Sequence, residues 1–233
     1  MRAKAIAIVP SAGIGKRFGI TGRKTFVELG GVPLLIHTLQ KFQKADSVTE
    51  VVPVLREEDL ETGLELVESY GLSKIKKIAP GGKERQDSVY NALNLIEHGD
   101  LVIVHDGVRP FVDVELIEEV IYRTKDVDNI VVGVPIRDTI KEVAEDGLVS
   151  RTMDREKLWA IQTPQAFPLN VLKLAYQKAY KENFFATDDA ALVERIGGKI
   201  KIIIGSPLNI KITTQDDLIL AEFLINRMSK SVK

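Results

Sequence analysis

Short runs of apolar, often β-branched residues alternate with longer stretches of helical period in the first part of this chain. The predicted order is a strand at Ala5–Val9, a helix at Leu34–Lys44, a strand at Val51–Leu55, a helix at Leu60–Tyr70 and a strand at Ile75–Ile78. Strands that are apolar on both faces and joined through helices form a parallel sheet covered on both sides. The alternation therefore predicts an α/β fold, a Rossmann-like and mostly parallel sheet with helices on both faces.

Further helices and strands follow along the chain. They are a helix at Gln86–Glu97, a strand at Leu101–His105, a helix at Val114–Thr124, a strand at Ile130–Pro135, helices at Leu169–Lys181 and Asp188–Ile196, and strands at Ile200–Ile204 and Asn209–Thr213. The capping box Thr214–Asp217 opens a last helix, which is predicted to end near Met228. Since no repeat or low-complexity linker divides the chain, residues 1–233 are predicted to form one domain.

A hairpin interrupts this pattern after Pro135. Two predicted strands, Arg137–Val143 and Leu148–Thr152, flank a loop with the turn signal Asp146-Gly147. Both strands are polar on at least one face, and an isolated hairpin is only marginally stable in water. We therefore expect a protruding β-arm at about 136–155 that packs on something else, such as a second subunit.

Composition excludes several classes of function. Lys and Arg number 32 against 33 Asp and Glu, which argues against a nonspecific nucleic-acid binder and requires any anion site to be local. The chain contains no cysteine and only three histidines, so disulfides, thiolate metal sites and thiol nucleophiles are excluded. The apolar run before Pro10 is too short for a signal sequence or a membrane span, which predicts a cytoplasmic protein without membrane contact.

The loop after the first strand, PSAGIGKRFG at residues 10–19, combines glycines with cations. It does not match the dinucleotide fingerprint that starts at Gly13 and Gly15, because Phe18 stands where the third glycine is needed, and it lacks the spacing of a P-loop. Bare backbone suits a phosphate, and clustered cations suit a highly charged triphosphate. The loop favours a nucleoside triphosphate site, and the alternative is a tight surface turn with solvated cations.

A carboxylate and a guanidinium follow the strand Leu101–His105, at the edge of the sheet where ligands bind in open α/β folds. Asp106 is a candidate to hold a divalent cation, directly or through water, and Arg109 is a candidate to hold an anion or to fix the geometry of Asp106. The alternative is an Asp-Gly turn closed by Pro110. His105, at the end of an apolar run, is predicted to be structural.

Other signals are weak when taken singly. Gly81-Gly82 forms a second glycine loop before a helix, and Thr163–Gln165 is interpreted as a rigid turn. Arg155 and Lys211 are lone cations, and composition alone favours solvated surface charges at both positions. The acidic pair in Thr187–Asp189 is interpreted as a helix cap.

These pieces, taken in order, resemble the 2-C-methyl-D-erythritol 4-phosphate cytidylyltransferase family over nearly the full length of the chain. The resemblance rests on spaced motifs that together are highly specific: Pro10–Arg17, Lys24 with Phe26, Gly81-Gly82 with Arg85 and Asp87–Val89, His105-Asp106 with Arg109-Pro110, Val134-Pro135 with Asp138-Thr139, Asp154-Arg155, Thr163–Gln165 and Asn209–Lys211.

The resemblance implies one nucleotidyltransferase domain whose glycine loop wraps the triphosphate of CTP. Arg17 and Lys24 would stabilise charge that develops during transfer. The implied nucleotide-binding residues are Ser11, Ala12, Gly13, Gly15, Gly82 and Ser88. Arg155 and Lys211 would be catalytic and would position the acceptor phosphate.

The resemblance also implies that Asp106, Arg109 and Thr139 belong to the acceptor site, together with Arg155 and Lys211. The arm matches one that is exchanged between the subunits of a homodimer, so Thr139 would act across that interface. The implied partners are CTP, a polyol phosphate and Mg²⁺ or another divalent cation.

The predicted reaction is attack by the acceptor phosphate on the α-phosphorus of CTP, which releases pyrophosphate. A phosphate monoester is mostly dianionic at neutral pH, so no general base is needed, and cations with Mg²⁺ must offset the repulsion between the phosphates. Three alternatives remain: a ribitol 5-phosphate cytidylyltransferase, a nicotinamide-dependent oxidoreductase, which Phe18 disfavours, and a nonenzymatic CTP sensor, which two separate phosphate sites disfavour.

Overall fold

The computed structural model describes residues 4–13 and 24–230. Its strands are β1 (Ala5–Pro10), β2 (Glu28–Leu29), β3 (Val32–Pro33), β4 (Val48–Leu55), β5 (Ala79–Pro80), β6 (Leu101–Val104), β7 (Asn129–Pro135), β8 (Lys141–Val143), β9 (Val149–Thr152), β10 (Trp159–Pro168) and β11 (Ile200–Ile204). Its α-helices are α1 (Leu34–Lys44), α2 (Leu60–Ser69), α3 (Arg85–Leu95), α4 (Val114–Arg123), α5 (Leu169–Lys181), α6 (Asp189–Arg195) and α7 (Gln215–Lys230). Short 3₁₀ turns lie at Lys24–Phe26, Glu57–Asp59 and Arg155–Lys157.

The described residues build a seven-stranded sheet in the order β11-β7-β10-β6-β1-β4-β5. Its neighbours pair in parallel except at β10, which runs antiparallel between β6 and β7. The prediction of a mostly parallel sheet with helices on both faces is confirmed.

The core has a layer on each side of the sheet, and β1 shows how the sequence produces both. Its side chains alternate between the layers, with Ala7 and Val9 on one side and Ile6 and Ile8 on the other. Helices α1, α2 and α4 cover the first side, and α3, α5 and α6 cover the second. A smaller cluster joins α7 to the hairpin of β2 and β3.

The sequence prediction missed β10 and interpreted Thr163–Gln165 as a turn. These residues lie inside the strand, at an irregularity where the pairing with β7 jumps from Gln162 to Gln165. A proline within a strand pattern argues against a strand unless a bulge accommodates it, and this strand contains such a bulge.

Two predicted strands are wrong. Residues Ile75–Ile78 form no strand, although Ile75 is buried in the core, and the pairing with the end of β4 falls just after them, at Ala79–Pro80. The segment Asn209–Thr213 is irregular, because its backbone bonds go to a turn and to Val108 O rather than to a strand ladder.

The predicted arm is present as β8 and β9, both shorter than expected. These strands pair with each other and are exposed along their whole length. Val143, Leu148 and Val149 are each more than half exposed.

None of the helices within residues 4–13 and 24–230 combines the length and apolar character that a membrane span needs.

Candidate active site

The candidate active site lies beyond the carboxyl ends of β1 and β6, which are neighbours in the sheet. Asp106 comes just after β6, and Ser11 directly follows β1. Between the two loops, Gly107 N donates to Pro10 O at 3.1 Å. A Cβ on Gly107 would stand 1.9 Å from Ser11 Oγ, so this close approach of the loops requires glycine.

The Asp106 carboxylate is surrounded by three of the described basic side chains. Its Oδ1 accepts from Arg85 Nε at 3.1 Å, and its Oδ2 lies 2.9 Å from Lys211 Nζ and 3.4 Å from Arg109 Nε. We call these four residues the Asp106 cluster. It joins loops and a helix that are far apart in the chain.

Electrostatics keep this carboxylate ionised. Burial acts to raise the pKa of Asp106, but Arg85, Lys211 and Arg109 outweigh burial and hold that pKa far below its usual range. Burial likewise acts against the charge of Arg85, yet Asp189 and Asp106 raise its pKa well above the ordinary value. Asp106 and Arg85 therefore stay charged at any physiological pH.

Arg109 and Lys211 differ in how tightly they are held. Arg109 also donates from Nη1 to Asn209 O at 2.7 Å, and its side chain is only 11% exposed. The Lys211 side chain is 40% exposed, so its ammonium is bound to Asp106 on one side and open to solvent on the other. The interpretation of Lys211 as a merely solvated charge is wrong.

Arg85 and Asp189 are functional candidates to which sequence reasoning assigned no role. Arg85 Nη2 donates to Asp189 Oδ2 at 2.8 Å, and the hydroxyl of Tyr176 donates to Asp189 Oδ1. The neighbouring Asp188 does cap α6, by accepting from Ala191 N. The sequence did carry one signal for Asp189: two acidic residues stand together at the start of α6, and a helix cap uses only one of them.

A cavity of about 430 Å³ opens over the Asp106 cluster. All four members of the cluster line it. The remaining lining consists of Ile161, Gln162, Thr163, Gln165, Thr187, Asp188 and Glu194. Cations beside amides, hydroxyls and carboxylates suit a small molecule that carries both a phosphate and hydroxyl groups.

His105 is structural, as predicted. It is fully buried, its Nε2 lies 3.1 Å from Arg109 O, and its Nδ1 lies 3.1 Å from Thr163 Oγ1. Since a carbonyl oxygen only accepts, Nε2 carries the proton and Nδ1 accepts from the threonine hydroxyl. Burial lowers the pKa of His105 to about 4, so the ring is neutral.

A second group of predicted residues gathers at the end of β1. Ser11 is buried and its carbonyl accepts from Thr25 Oγ1 at 2.7 Å, which ties the turn of Lys24 to this loop. Lys24 is itself buried. The structure thus brings Lys24 and the start of the glycine loop together across the intervening residues.

The second glycine loop meets the first. A Cβ on Gly81 would stand 2.3 Å from Ala12 Cβ, so the two loops contact closely. Gly82 N donates to Ser88 Oγ at 3.1 Å, and that hydroxyl donates in turn to Glu84 O. Ala12, Gly82 and Ser88 therefore form one surface, next to Gly13.

Four predicted residues are not among the described residues of this site. Gly15 and Arg17 lie outside the described residues. Thr139 is exposed at the base of the arm, and Arg155 donates to Arg137 O at 2.8 Å. Neither Thr139 nor Arg155 is among the described residues that line the cavity.

Asp106 does not fit a direct metal ligand in this arrangement. Both of its oxygens contact basic groups, which would repel a divalent cation. Within residues 4–13 and 24–230, no group of three or more His, Asp or Glu side chains is placed to hold a metal ion. That Asp106 positions a divalent cation through a bridging water stays a prediction.

Comparisons with known proteins show the family to which the chain belongs. The family profile described as IspD, 2-C-methyl-D-erythritol 4-phosphate cytidylyltransferase, matches residues 5–227. A protein of that name from Syntrophus aciditrophicus is 42% identical over 229 residues, which cover 97% of this chain and 98% of that protein. A relative of the same name from Halalkalibacterium halodurans is 45% identical over 218 residues, 94% of this chain and 95% of the relative.

Solved structures give the same result. The 4-diphosphocytidyl-2C-methyl-D-erythritol synthase of Anaerococcus prevotii superposes with a TM-score of 0.86 at 30% identity and covers 96% of both chains. The 2-C-methyl-D-erythritol 4-phosphate cytidylyltransferase of Thermus thermophilus has a TM-score of 0.79 at 30% identity, covering 97% of this chain and all of that one.

Proposed function

This chain belongs to the 2-C-methyl-D-erythritol 4-phosphate cytidylyltransferase family, and from that premise we propose how its residues carry out the reaction. The enzyme joins CTP and 2-C-methyl-D-erythritol 4-phosphate to give 4-diphosphocytidyl-2-C-methyl-D-erythritol and pyrophosphate. Its relatives favour this acceptor over ribitol 5-phosphate, and the family excludes the oxidoreductase and sensor hypotheses.

The chemistry needs charge and alignment more than it needs a base. The acceptor phosphate is mostly dianionic at neutral pH, so it can attack the α-phosphorus of CTP without losing a proton to the protein. The barrier lies in bringing two anions together in line. Lysines and arginines that sit beside both phosphates lower it.

The Asp106 cluster carries the acceptor half of the proposal. Lys211 Nζ is held 2.9 Å from Asp106 Oδ2 and faces the cavity, so it can bind the acceptor phosphate from a fixed position. Arg109 Nε lies 3.4 Å from the same oxygen. Asp106 keeps these cations close together and offers an acceptor for a hydroxyl of the polyol.

The nucleotide half uses the two glycine loops. Ser11, Ala12 and Gly13 of the first loop, with Gly82 and Ser88 of the second, would form one continuous surface against the cytidine, since the loops contact each other there. Lys24 is buried beside this loop and would stabilise charge on the triphosphate. Gly15 and Arg17 remain predictions for the same role.

A divalent cation, Mg²⁺, is proposed to enter with the triphosphate rather than through a protein carboxylate. The basic surroundings of Asp106 support this route. When bound, such an ion offsets part of the negative charge on the phosphates.

The arm is proposed to complete the acceptor site of a second subunit in a homodimer. Its apolar Val143, Leu148 and Val149 are exposed in a single chain, and Thr139 and Arg155 lie near its base. A second copy would cover those side chains and receive Thr139 and Arg155. We further propose one nucleotidyltransferase domain over residues 1–233 with the arm at about 136–155, located in the cytoplasm.

Pyrophosphate release tests the function. Purified protein with Mg²⁺ is assayed with each of four nucleoside triphosphates, combined in turn with 2-C-methyl-D-erythritol 4-phosphate and ribitol 5-phosphate. We expect release with CTP and the methylerythritol compound. Release of pyrophosphate only with ribitol 5-phosphate, or no release with either acceptor, would contradict the assignment.

Mixing two inactive variants tests the shared site. In a heterodimer of Arg155→Ala and Lys211→Ala chains, an arm that crosses the interface leaves one site with both mutations and the other with none. About a quarter of all sites should then regain activity after random subunit exchange. If Arg155 acts within its own chain, every site keeps one mutation and mixing restores nothing.

A further inference from the structure

We propose that Asp189 and Tyr176 are positioning residues of the acceptor site, which act through Arg85 on Asp106 and thereby fix Lys211. The inference rests on the proposed function, because it concerns the same Asp106 cluster. Neither Asp189 nor Tyr176 needs to touch a substrate in this role.

The argument begins with a chain of contacts through three helices. Tyr176 on α5 donates its hydroxyl to Asp189 Oδ1 at 2.5 Å, and Asp189 opens α6. Arg85, the first residue of α3, donates from Nη2 to Asp189 Oδ2 at 2.8 Å and from Nε to Asp106 Oδ1 at 3.1 Å. A continuous line of hydrogen bonds thus connects the core to the cavity.

Burial shows that Asp189 is an unusual residue to keep for stability alone. Its side chain has no solvent exposure, and Tyr176 is almost as buried. A buried ion pair is often no more stable than well-packed apolar residues in its place. The ion pair of Arg85 and Asp189 has a specific effect on geometry instead, since a planar guanidinium bound by two carboxylates cannot turn.

Fixing Arg85 divides the oxygens of Asp106 between two tasks. Oδ1 is occupied by Arg85, so Oδ2 faces Lys211 and Arg109. If Arg85 loosened, the carboxylate could rotate about its last bond. Lys211, whose side chain is 40% exposed, would then lose the partner that sets the position of its ammonium.

The sign of the effect separates positioning from simple electrostatics. Asp189→Asn removes a negative charge near the cations, so a pure charge effect would strengthen binding of the acceptor phosphate and lower its KM. Loss of positioning would instead raise that KM and lower kcat. Burial and the nearby Asp189 raise the pKa of Tyr176 well above its usual value, so the phenol stays a donor throughout the pH range of an assay.

Steady-state kinetics on the full chain, with each substrate varied, test the proposal. For Asp189→Asn we expect the KM for methylerythritol phosphate to rise about 10-fold and kcat/KM to fall about 10²-fold, with the KM for CTP within about twofold of wild type. Tyr176→Phe should shift the same constants in the same direction by about three- to fivefold. Arg85→Lys should resemble Asp189→Asn, because an ammonium cannot bridge both carboxylates in one plane.

Glu182→Gln is the matched control, since it neutralises an exposed carboxylate, paired with Arg195 of α6, that does not line the cavity. It should keep every constant of the wild type. An unchanged or lowered acceptor KM in Asp189→Asn would overturn the proposal. If thermal melting shows that this variant is unfolded, Arg85→Lys decides by the same constants. A wild type that releases no pyrophosphate refutes the proposed function and this inference with it, whereas an active wild type with unaffected variants refutes the inference alone.

Discussion

The Asp106 cluster and the arm contribute residues to the same proposed reaction but are held in opposite ways. Asp106 is buried and ion-paired to side chains from three separate parts of the chain. The arm strands β8 and β9 pair with each other, and their apolar side chains face solvent. The cluster's side-chain contacts all form within one chain, and the apolar side chains of the arm are exposed in one chain.

This difference shows that the contacts of Asp106 are complete in one chain, whereas the role proposed for the arm needs a second chain. In the cluster, the charges are held by ion pairs among Asp106, Arg85, Arg109 and Lys211 of one chain, so these contacts exist before any ligand arrives. In the arm, Arg155 contacts the backbone of Arg137 and lies outside the cavity. The predictions below test this contrast, from the largest expected effect to the smallest.

Removing the ammonium of Lys211 should have the largest effect. Lys211→Met keeps much of the side chain but deletes the positive charge that contacts Asp106, and we expect kcat/KM for methylerythritol phosphate to fall about 10²-fold or more. The measurement is initial-rate pyrophosphate release. Lys141→Met makes the same change on β8 of the arm, and equal losses in both variants would break the comparison.

Lowering the pH should destabilise the cluster region through His105. Because burial lowers its pKa from 6.5 to about 4, the unfolded chain binds a proton over this interval that the folded chain does not. Stability should therefore fall as pH decreases through that window, by on the order of 3 kcal/mol in total. Urea unfolding at several pH values measures this slope.

His105→Gln provides the control for that slope. The variant should lose the pH dependence between about 6.5 and 4, whatever its absolute stability. Carboxylates with lowered pKa values, such as Asp106, lose most of their contribution as pH falls below about 3.8, at the acid end of this window. A variant as pH-sensitive as the wild type would contradict the role of this histidine.

Charging the apolar side of the arm should have a moderate effect on activity. Leu148 is 69% exposed in one chain, so Leu148→Lys should leave the melting temperature of the subunit nearly unchanged. It should shift sedimentation toward monomer and lower kcat/KM by about 10-fold, if a second copy covers this residue. Glu145→Lys places a lysine at the polar tip of the same arm and should change neither the sedimentation nor kcat/KM. A fully active, dimeric Leu148→Lys protein would refute the proposed arm contact.

The smallest effect is expected for an ion pair within the arm. Arg151 contacts Glu142 across β8 and β9, and both side chains are at least half exposed. Glu142→Gln should change the free energy of unfolding by less than about 1 kcal/mol, because water screens such pairs. Denaturant titration would show a larger loss if this pair were buried in the assembled protein.

Much of the fold could be predicted because its strands carry local signals. β11 and α5 have the predicted bounds, since apolar runs and helical periodicity are properties of neighbouring residues. β10 was missed because Pro164 interrupts it, and its antiparallel pairing depends on β6 and β7. The candidate site shows the same contrast. Asp106 and Arg109 could be predicted from their position after a strand, whereas the pair of Arg85 and Asp189 could not.

The sequence by itself determined the α/β architecture, the glycine loops and the ends of strands at which ligands bind, because these depend on periodicity and on single residue types. The tertiary structure alone decided which charges meet. Arg85 and Asp189 are 104 residues apart in the chain, and Lys211 reaches Asp106 from an irregular segment. Such pairs form only when helices and loops pack on the sheet, and no local pattern encodes the distance between two side chains so far apart in the chain.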